Sequence, residues 1–289
     1  MEEKNKYIRF DWAMRRLLRS KNNFGVLEGF LTTLLQQEIT IDRLCESGDE
    51  EPYYKLNRID LWAKNEQGEC VLIEIQNNTE YVYYQRIIFG TSKTVTAYAN
   101  QKKADNEIRK IYCINILYFN LGRGTDVLYR GYTELRGIHN GELLRLSPFK
   151  LQTFEENDDY GLSPEYYVLK VDKCNHWSEQ PLEQWCYYLH TNHIPDDATA
   201  PGLQEARSKL CFNRLGQTEQ NGYYHYLNNL VILQDNIETA RGEGYWEGYE
   251  SGRAKRTKHD IALKMKSAGA SVEIIAQCTG LTPEEIAGL

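Results

Sequence analysis

The chain lacks the features of exported, membrane-spanning and disulfide-stabilised proteins. No apolar run approaches the ~18 residues that a transmembrane helix needs. Positions 2–6 are all polar, and no apolar signal core follows them. The seven cysteines are an odd number, lie far apart and include no Cys-x-x-Cys pair. We therefore expect a cytoplasmic protein with no membrane segment and no disulfide framework.

The chain also has no excess of positively charged residues. The net charge is −7 and the pI is about 5.5, which counts against a protein that binds nucleic acid over its whole surface. A local basic groove stays compatible with this balance, because phosphates respond to the nearby field. The hydrophobic and charged fractions, 41% and 26%, are typical of a globular protein. The 289 residues suffice for one large domain or two modest ones.

The clearest pattern in the chain lies in residues 57–76. Two runs with alternating apolar residues, 57–63 and 70–76, flank a polar segment that is rich in turn formers. This pattern predicts a β-hairpin. Side chains alternate between the faces of a strand, so Glu74 and Gln76 project from one side, and Asp60 on the partner strand can approach them.

Two interpretations of these carboxylates are open. They can be solvent-facing charges of a half-buried hairpin, or they can hold a divalent cation such as Mg²⁺, which binds one or two carboxylates and keeps several waters. The apolar neighbours favour the second interpretation. Leu72 shares the face of Glu74, and apolar residues fill the other face. A sheet that is apolar on both faces is normally covered by helices, and carboxylates there need a partner.

Asp60, followed after thirteen residues by Glu74-Ile75-Gln76, resembles the D…ExK signature of PD-(D/E)XK nucleases, with glutamine in the lysine position. Further segments resemble the Rpn family of recombination-promoting nucleases, which are also labelled transposases. The resemblance covers roughly residues 6–136, and the tail also resembles that of the family. Four segments carry it: Tyr7–Asp11, Asn23–Leu31, Glu74–Asn77 and Arg86–Lys93.

The resemblance implies a restriction-endonuclease-like α/β core, with a mixed central sheet flanked by helices, and a helical C-terminal region. It implies that Asp60, Glu74 and the Ile75 carbonyl hold Mg²⁺ or Mn²⁺. Gln76 cannot carry charge or act as a base, but its amide can position water. Glu28 is a further candidate catalytic acid, because related nucleases use an acid on the first core helix; an exposed helix acid is the alternative.

Several cations are candidates for contacts with DNA phosphates. Arg15 and Arg16 belong to a cationic stretch flanked by Arg9, Arg19 and Lys21, which is either a phosphate-contacting edge or a solvated helix face. Arg86 lies near the beginning of the helix predicted over 81–99. In the family arrangement this position faces the site, so the resemblance implies that Arg86 contacts the scissile phosphate. Lys93 lies on the same helix. A plain surface position is the alternative for Arg86.

The predicted order of elements is that of the nuclease core. It consists of two helices within 10–35, a strand at 39–41, the hairpin, the helix 81–99, a fully buried strand at 111–119 and an edge strand within 127–135. We expect a nuclease-like core in 1–145, a mainly helical extension in 146–240 with a strand at 166–171, and a tail in 241–289 made of a glycine-rich linker helix and a helix-turn-helix-like module.

Two clusters in the C-terminal half have competing interpretations. Cysteine and histidine side chains of the type that bind zinc gather within residues 174–193, but no close pair such as Cys-x-x-Cys occurs, so ordinary packing is favoured. Gly244, Gly248 and Gly252 form either a loose linker helix or a strip for self-association as a homodimer. A basic run, 253–258, follows. Thr282 and Glu285 predict a capping box with Pro283 at the first helical position.

The favoured function is a Mg²⁺-dependent DNA endonuclease associated with recombination or mobile elements. The alternative is a catalytically weak or inactive nuclease-fold protein that binds nucleic acid or a protein partner. The acidic balance and Gln76 favour this alternative, whereas the retention of Asp60 and Glu74 opposes it, because paired carboxylates repel phosphate. A transposase of the RNase H type would need three acids on a different strand order and finds little support.

Overall fold

The computed structural model describes residues 6–44, 61–77, 83, 85, 87, 110–145 and 164–289. The chain divides into two compact units, Met1–Gln220 and Asn221–Leu289. The candidate site residues lie in the first unit, so its sheet is described first and the second unit separately.

The first unit contains a mixed sheet whose described strands have the order β1-β2-β3-β4-β6-β5. The pairs β1–β2, β2–β3 and β5–β6 are antiparallel, whereas β3–β4 and β4–β6 are parallel. The central strands β3, β4 and β6 therefore all run in one direction. The strands are β1 (Ile41–Leu44), β2 (Leu61–Asn65), β3 (Cys70–Gln76), β4 (Ile111–Leu117), β5 (Leu128–Gly131) and β6 (Glu165–Lys170).

The predicted hairpin is confirmed in β2 and β3. Its register runs from Leu61 opposite Ile73 to Lys64 opposite Cys70. The turn is closed by Asn65, whose side chain accepts a hydrogen bond from the Glu69 N–H (2.8 Å) and donates one to the Glu69 carboxylate (2.6 Å). Gly68 has a φ of 77°, a left-handed conformation that glycine adopts without strain. Local turn chemistry thus fixes the register, and with it the face on which Glu74 lies.

The buried strand predicted at 111–119 is confirmed as β4, which ends two residues earlier, at Leu117. All seven residues of β4 are buried, so both faces of the sheet are covered here. On one face, Tyr83 and Ile87, which lie in helical conformation, pack with Leu117 and Phe119. The remainder of the helix predicted over 81–99 lies outside the described residues.

The N-terminal helices form a second layer with helices from later in the chain. The two helices predicted within 10–35 are confirmed as α1 (Phe10–Arg16) and α2 (Phe24–Leu35). Phe10 and Phe30 pack edge-on against Trp185, with ring centroids 5.7 and 5.2 Å from it. Trp185 belongs to α3 (Pro181–Thr191), and α4 (Leu203–Lys209) follows. A Cβ on Gly29 would lie 2.4 Å from the backbone of Gly202, so α2 and the start of α4 meet through glycine.

Two strands differ from the sequence prediction. β1 begins at Ile41 rather than at residue 39. Side chains of α2 bind the backbone here: Thr32 Oγ1 accepts from the Ile39 N–H (3.0 Å), and Glu28 accepts from the Ile41 N–H (2.8 Å). The strand predicted at 166–171 is confirmed as β6, but it lies inside the sheet between β4 and β5, whereas the sequence prediction assigned it to the mainly helical extension. The domain limits at 145 and 240 remain predictions, whereas the compact units divide after Gln220.

The second unit is helical. α5 (Gln217–Ser267) begins at the end of the first unit and runs for 51 residues, so the glycine-rich segment lies inside a continuous helix. α6 (Val272–Thr279) and α7 (Pro283–Ala287) fold back on its end, around a cluster of Ala262, Ile275, Leu281 and Ile286. The capping box is confirmed: the Thr282 hydroxyl accepts from the Glu285 N–H (3.3 Å), and the Glu285 carboxylate accepts from the Thr282 N–H (3.0 Å).

Replacing Gly244, Gly248 and Gly252 by alanine is expected to stabilise the second unit. Within the described structure a Cβ at any of these positions meets no atom within 4 Å, so the gain in helix propensity, about 0.5–1 kcal/mol per substitution, is not opposed by a clash. Circular dichroism should show a higher thermal midpoint for α5. Gly29→Ala is the control, because its crowded site should make it destabilising. A loss of stability in the triple variant would show that the glycine strip packs against a partner.

Candidate functional site

Glu74 and Gln76 lie at the C-terminal end of β3, a strand in the middle of the sheet. Glu74 pairs with Asn115 of β4, and Gln76 pairs with Leu117. Paired residues project to the same face, so the carboxylate and the amide share the face on which Tyr83 donates a hydrogen bond to Asn115 (3.4 Å). Among the seven residues of β3 only Glu74 is partly exposed. The site therefore offers one half-buried carboxylate in an otherwise buried strand.

The other two predicted metal ligands are Asp60 and the backbone oxygen of Ile75. Asp60 lies outside the described residues, but Leu61, which follows it, pairs with Ile73, which precedes Glu74. Ile75 is buried, and its side chain projects to the face opposite Glu74, so only its backbone oxygen can serve as a ligand. The donors at this end of β3 are thus oxygen atoms, the type that Mg²⁺ and Mn²⁺ prefer.

A polar cluster that sequence analysis did not identify lies immediately after Gln76. The Asn77 amide donates to Asp11 (3.0 Å) and accepts from Arg9 (2.6 Å), and Arg9 also donates to Asp11 (3.2 Å). The Arg9 guanidinium lies 4.6 Å from the ring centre of Tyr118, whose N–H donates to the Gln76 carbonyl (3.0 Å). This cluster joins the start of α1 to the end of β3. One feature of the sequence could have revealed this cluster: its residues lie in Tyr7–Asp11 and Glu74–Asn77, and both segments carry the family resemblance.

Three further predicted residues, Glu28, Arg15 and Arg16, lie in the described part of the chain. The Glu28 carboxylate holds the backbone at the start of β1, so its catalytic role stays a prediction. Arg15 and Arg16 are exposed in the last turn of α1. Arg86 and Lys93 lie outside the described residues. Tyr83 and Ile87, close to Arg86 in sequence, pack on the face of the sheet that carries Glu74.

A basic cavity of about 250 Å³ adjoins the start of β2. Arg19, Lys21 and Arg43 line it, together with the aromatic side chains of Phe24 and Trp62. The sequence analysis named Arg19 and Lys21 as part of a cationic stretch. It missed Arg43, because the strand that contains it was predicted at 39–41 and lies at Ile41–Leu44. Because Leu61 also lines this cavity, three cations gather beside the strand that follows Asp60. An acidic chain thus has a local basic surface in this region.

A second buried polar cluster lies at the opposite end of the parallel strands. The Glu165 carboxylate, which is 2% exposed, accepts hydrogen bonds from Arg130 (2.8 and 3.0 Å) and Tyr167 (2.8 Å) and pairs with Lys110 (2.6 Å). Burial alone would raise the pKa of Glu165, but hydrogen bonds from Arg130, Lys110 and Tyr167 outweigh it and lower the pKa to about 2. Because its partners are protein groups, we interpret this cluster as structural.

The described residues contain no group of three or more histidine, cysteine or acidic side chains arranged to hold a metal ion. Cys174 and Cys186 are buried beside each other, and a hydrogen bond to Cys174 together with burial raises the pKa of the Cys186 thiol. The six cysteines in the described part of the chain are free thiols. No helix among the described residues is long and apolar enough to cross a membrane.

The mixed sheet with flanking helices and a helical C-terminal region is the architecture of a PD-(D/E)XK nuclease fold, as the sequence predicted. Residues 8–145 match the family model described as PD-(D/E)XK nuclease family transposase. For this part of the chain, the match confirms the resemblance to the PD-(D/E)XK nucleases. Comparison with curated proteins gave no match, and comparison with solved structures gave none either.

Proposed function

We propose that the protein is a metal-dependent endonuclease that hydrolyses phosphodiester bonds of DNA at the C-terminal end of β3. The observation that carries the proposal is the half-buried Glu74, the one partly exposed residue of this strand, followed by Gln76 on the same face. Carboxylates are rare in strands that are otherwise buried. The family match supports this class of reaction, and the association with recombination or mobile elements is part of the same proposal.

The residues at this position fit a divalent cation. The Glu74 carboxylate, the Ile75 carbonyl and Asp60 would hold Mg²⁺ or Mn²⁺, since all three supply oxygen atoms. A bound cation would lower the pKa of a water molecule and stabilise the charge that develops on the phosphorus oxygens. The partial exposure of Glu74 leaves room for water beside the carboxylate.

Gln76 has a positioning role in this proposal. Its side-chain amide can donate and accept hydrogen bonds but cannot take up a proton at neutral pH. Its backbone is held on one side by Tyr118 and is followed by Asn77, which Asp11 and Arg9 fix. A restrained backbone keeps the amide in one place, where it can orient the attacking water. The proton would then leave through water or through Glu28.

The basic cavity supplies a place for the DNA backbone. Arg19, Lys21 and Arg43 carry charge opposite to that of phosphate, and they lie beside β2, which pairs with β3. Arg15 and Arg16 extend this basic surface along α1, while Arg86 and Lys93 complete the proposed set of phosphate contacts. Contacts of this kind position DNA without reading its sequence and weaken as salt increases.

Gln76→Ala is expected to slow the nicking of supercoiled plasmid about tenfold, the loss that follows removal of one well-placed hydrogen bond. Gln76→Lys, which restores the residue of the D…ExK signature, should keep activity at or above that of the wild type. The control is Gln85→Ala, which removes an exposed glutamine from a helical position and should leave the rate unchanged. Equal rates for all three variants would remove Gln76 from the mechanism.

The alternative is a nuclease-fold protein that binds DNA without cutting it. The acidic net charge and the absence of the signature lysine favour it. Binding of labelled DNA with no nicking under Mg²⁺ or Mn²⁺, and no gain of activity in Gln76→Lys, would establish this alternative.

A further inference from the structure

The second unit carries an exposed surface that the proposed cleavage site does not use. Tyr245, Trp246 and Tyr249 of α5 are 67%, 62% and 53% exposed, although aromatic side chains normally bury most of their area. Their ring centroids lie 5.7–6.5 Å from one another, and the Tyr245 and Tyr249 rings are within 17° of parallel. The three rings therefore form one contiguous aromatic surface in solvent.

Two arginines extend this surface along the helix. Arg253 and Arg256 follow Tyr249 by four and seven residues, which is the spacing of one helix face. Both are exposed, and within the described structure neither has an acidic partner at ion-pair distance, whereas their neighbour Lys255 pairs with Glu285 (3.8 Å). We call Tyr245, Trp246, Tyr249, Arg253 and Arg256 the aromatic–arginine row.

Glutamates also lie on this part of α5. Glu250 follows Trp246 by four residues and precedes Arg253 by three, so it neighbours the aromatic–arginine row, and Glu243 and Glu247 continue a line of glutamates beside the row. Glu238 and Asp260 bound the aromatic–arginine row at its two ends. The row spans eleven residue steps, roughly 17 Å along the helix, and its own members are three aromatic rings and two guanidinium groups.

We propose that the aromatic–arginine row binds single-stranded nucleic acid, with bases stacked on the tyrosine and tryptophan rings and phosphates paired with the two arginines. Stacking on aromatic rings together with cationic contacts to the backbone is how proteins hold single strands without sequence preference. A duplex fits less well, because its base faces are already stacked on one another.

Charge and area favour a nucleic acid strand over a second copy of this chain. A strand brings negative charge to a row whose charged members are both positive. Aromatic side chains bury 150–250 Å² when fully covered, so rings that are 53–67% exposed offer roughly 300–450 Å² in total. A stable protein interface needs about 800 Å² per partner. The row by itself is therefore smaller than a stable dimer interface but large enough for a few nucleotides.

The test measures binding of a fluorescein-labelled oligothymidylate to the full chain by fluorescence anisotropy. EDTA and the Glu74→Ala background keep the result independent of cleavage, so failure of the proposed nuclease activity cannot affect it. The triple variant Tyr245→Ala/Trp246→Ala/Tyr249→Ala should bind at least about tenfold more weakly. Arg253→Ala/Arg256→Ala should reduce the slope of log affinity against log salt by about one to two.

Tyr224→Ala is the matched control, because it removes an exposed aromatic residue from the same helix outside the row and should leave binding unchanged. Quenching of tryptophan emission by the oligonucleotide, lost in Trp246→Phe, would show direct contact with the ring. The proposal is overturned if the wild type does not bind, or if the triple variant binds as tightly as the wild type. It is also overturned if the triple variant dissociates an oligomer while its oligonucleotide affinity is unchanged.

Discussion

Glu74→Ala should reduce metal-dependent nicking of supercoiled plasmid by about 10²–10³-fold or more, because it removes a carboxylate that would hold the cation at the scissile phosphate. Glu74→Gln should have nearly the same effect, since an amide of the same shape lacks the charge. The reaction is followed on agarose gels with Mg²⁺ and, in parallel, with Mn²⁺.

The control for this experiment lies on the same hairpin. Glu66 is exposed in the turn between β2 and β3, so Glu66→Ala changes the charge equally but should leave the rate unaltered. Near-ultraviolet circular dichroism should show that the Glu74 variants keep the packing of the sheet. Nicking that survives Glu74→Ala would place the reaction elsewhere or in a contaminant, and the nuclease proposal for this site would be abandoned.

Glu165→Gln should destabilise the first unit by about 3–5 kcal/mol, the usual result of removing one partner from a buried charge pair. Lys110 is 9% exposed, so it would be left charged and buried without its carboxylate. Replacing Lys110 by methionine in the same chain should restore much of the loss. Urea unfolding followed by tryptophan fluorescence measures these differences.

The matched control is the exposed ion pair between Glu134 and Arg136 (2.7 Å), in which the arginine side chain is 56% exposed. Because solvent screens such a pair, Glu134→Gln should change stability by no more than about 1 kcal/mol. A loss after Glu165→Gln no larger than this would show that Lys110 finds another partner.

The same carboxylate predicts how stability depends on pH. In the folded protein the pKa of Glu165 is about 2, below its ordinary value of 4.5. A depressed pKa contributes stability above the ordinary value, and this contribution is lost as the pH falls through 4.5 towards 2. The difference in unfolding free energy between wild type and Glu165→Gln should therefore shrink over this range. A constant difference would contradict the assigned pKa.

Features that depend on near neighbours in sequence were predicted from the sequence. The hairpin follows from alternating apolar residues around a turn, and this alternation alone places Glu74 and Gln76 on one face. The capping box of Thr282 and Glu285 involves residues three positions apart. The burial of β4 follows from a nearly continuous apolar run. In each case the interactions that determine the structure join residues a few positions apart, so the hydrophobic pattern and the residue types of a short segment suffice to predict it.

Contacts between distant residues were decided by the tertiary structure. Asn77 meets Asp11 across 66 positions, and Glu165 meets Arg130 across 35, so no local pattern indicates either cluster. β6 enters the sheet by pairing in parallel with β4 and antiparallel with β5, and strand propensity cannot reveal these partners. The glycine-rich segment stays helical because α5 continues on both sides, so propagation offsets a propensity cost of up to ~1 kcal/mol per glycine. The sequence alone thus determined the carboxylate of the candidate site, while the polar clusters at the two ends of the parallel strands required the fold, because their charges meet only when distant strands and helices pack.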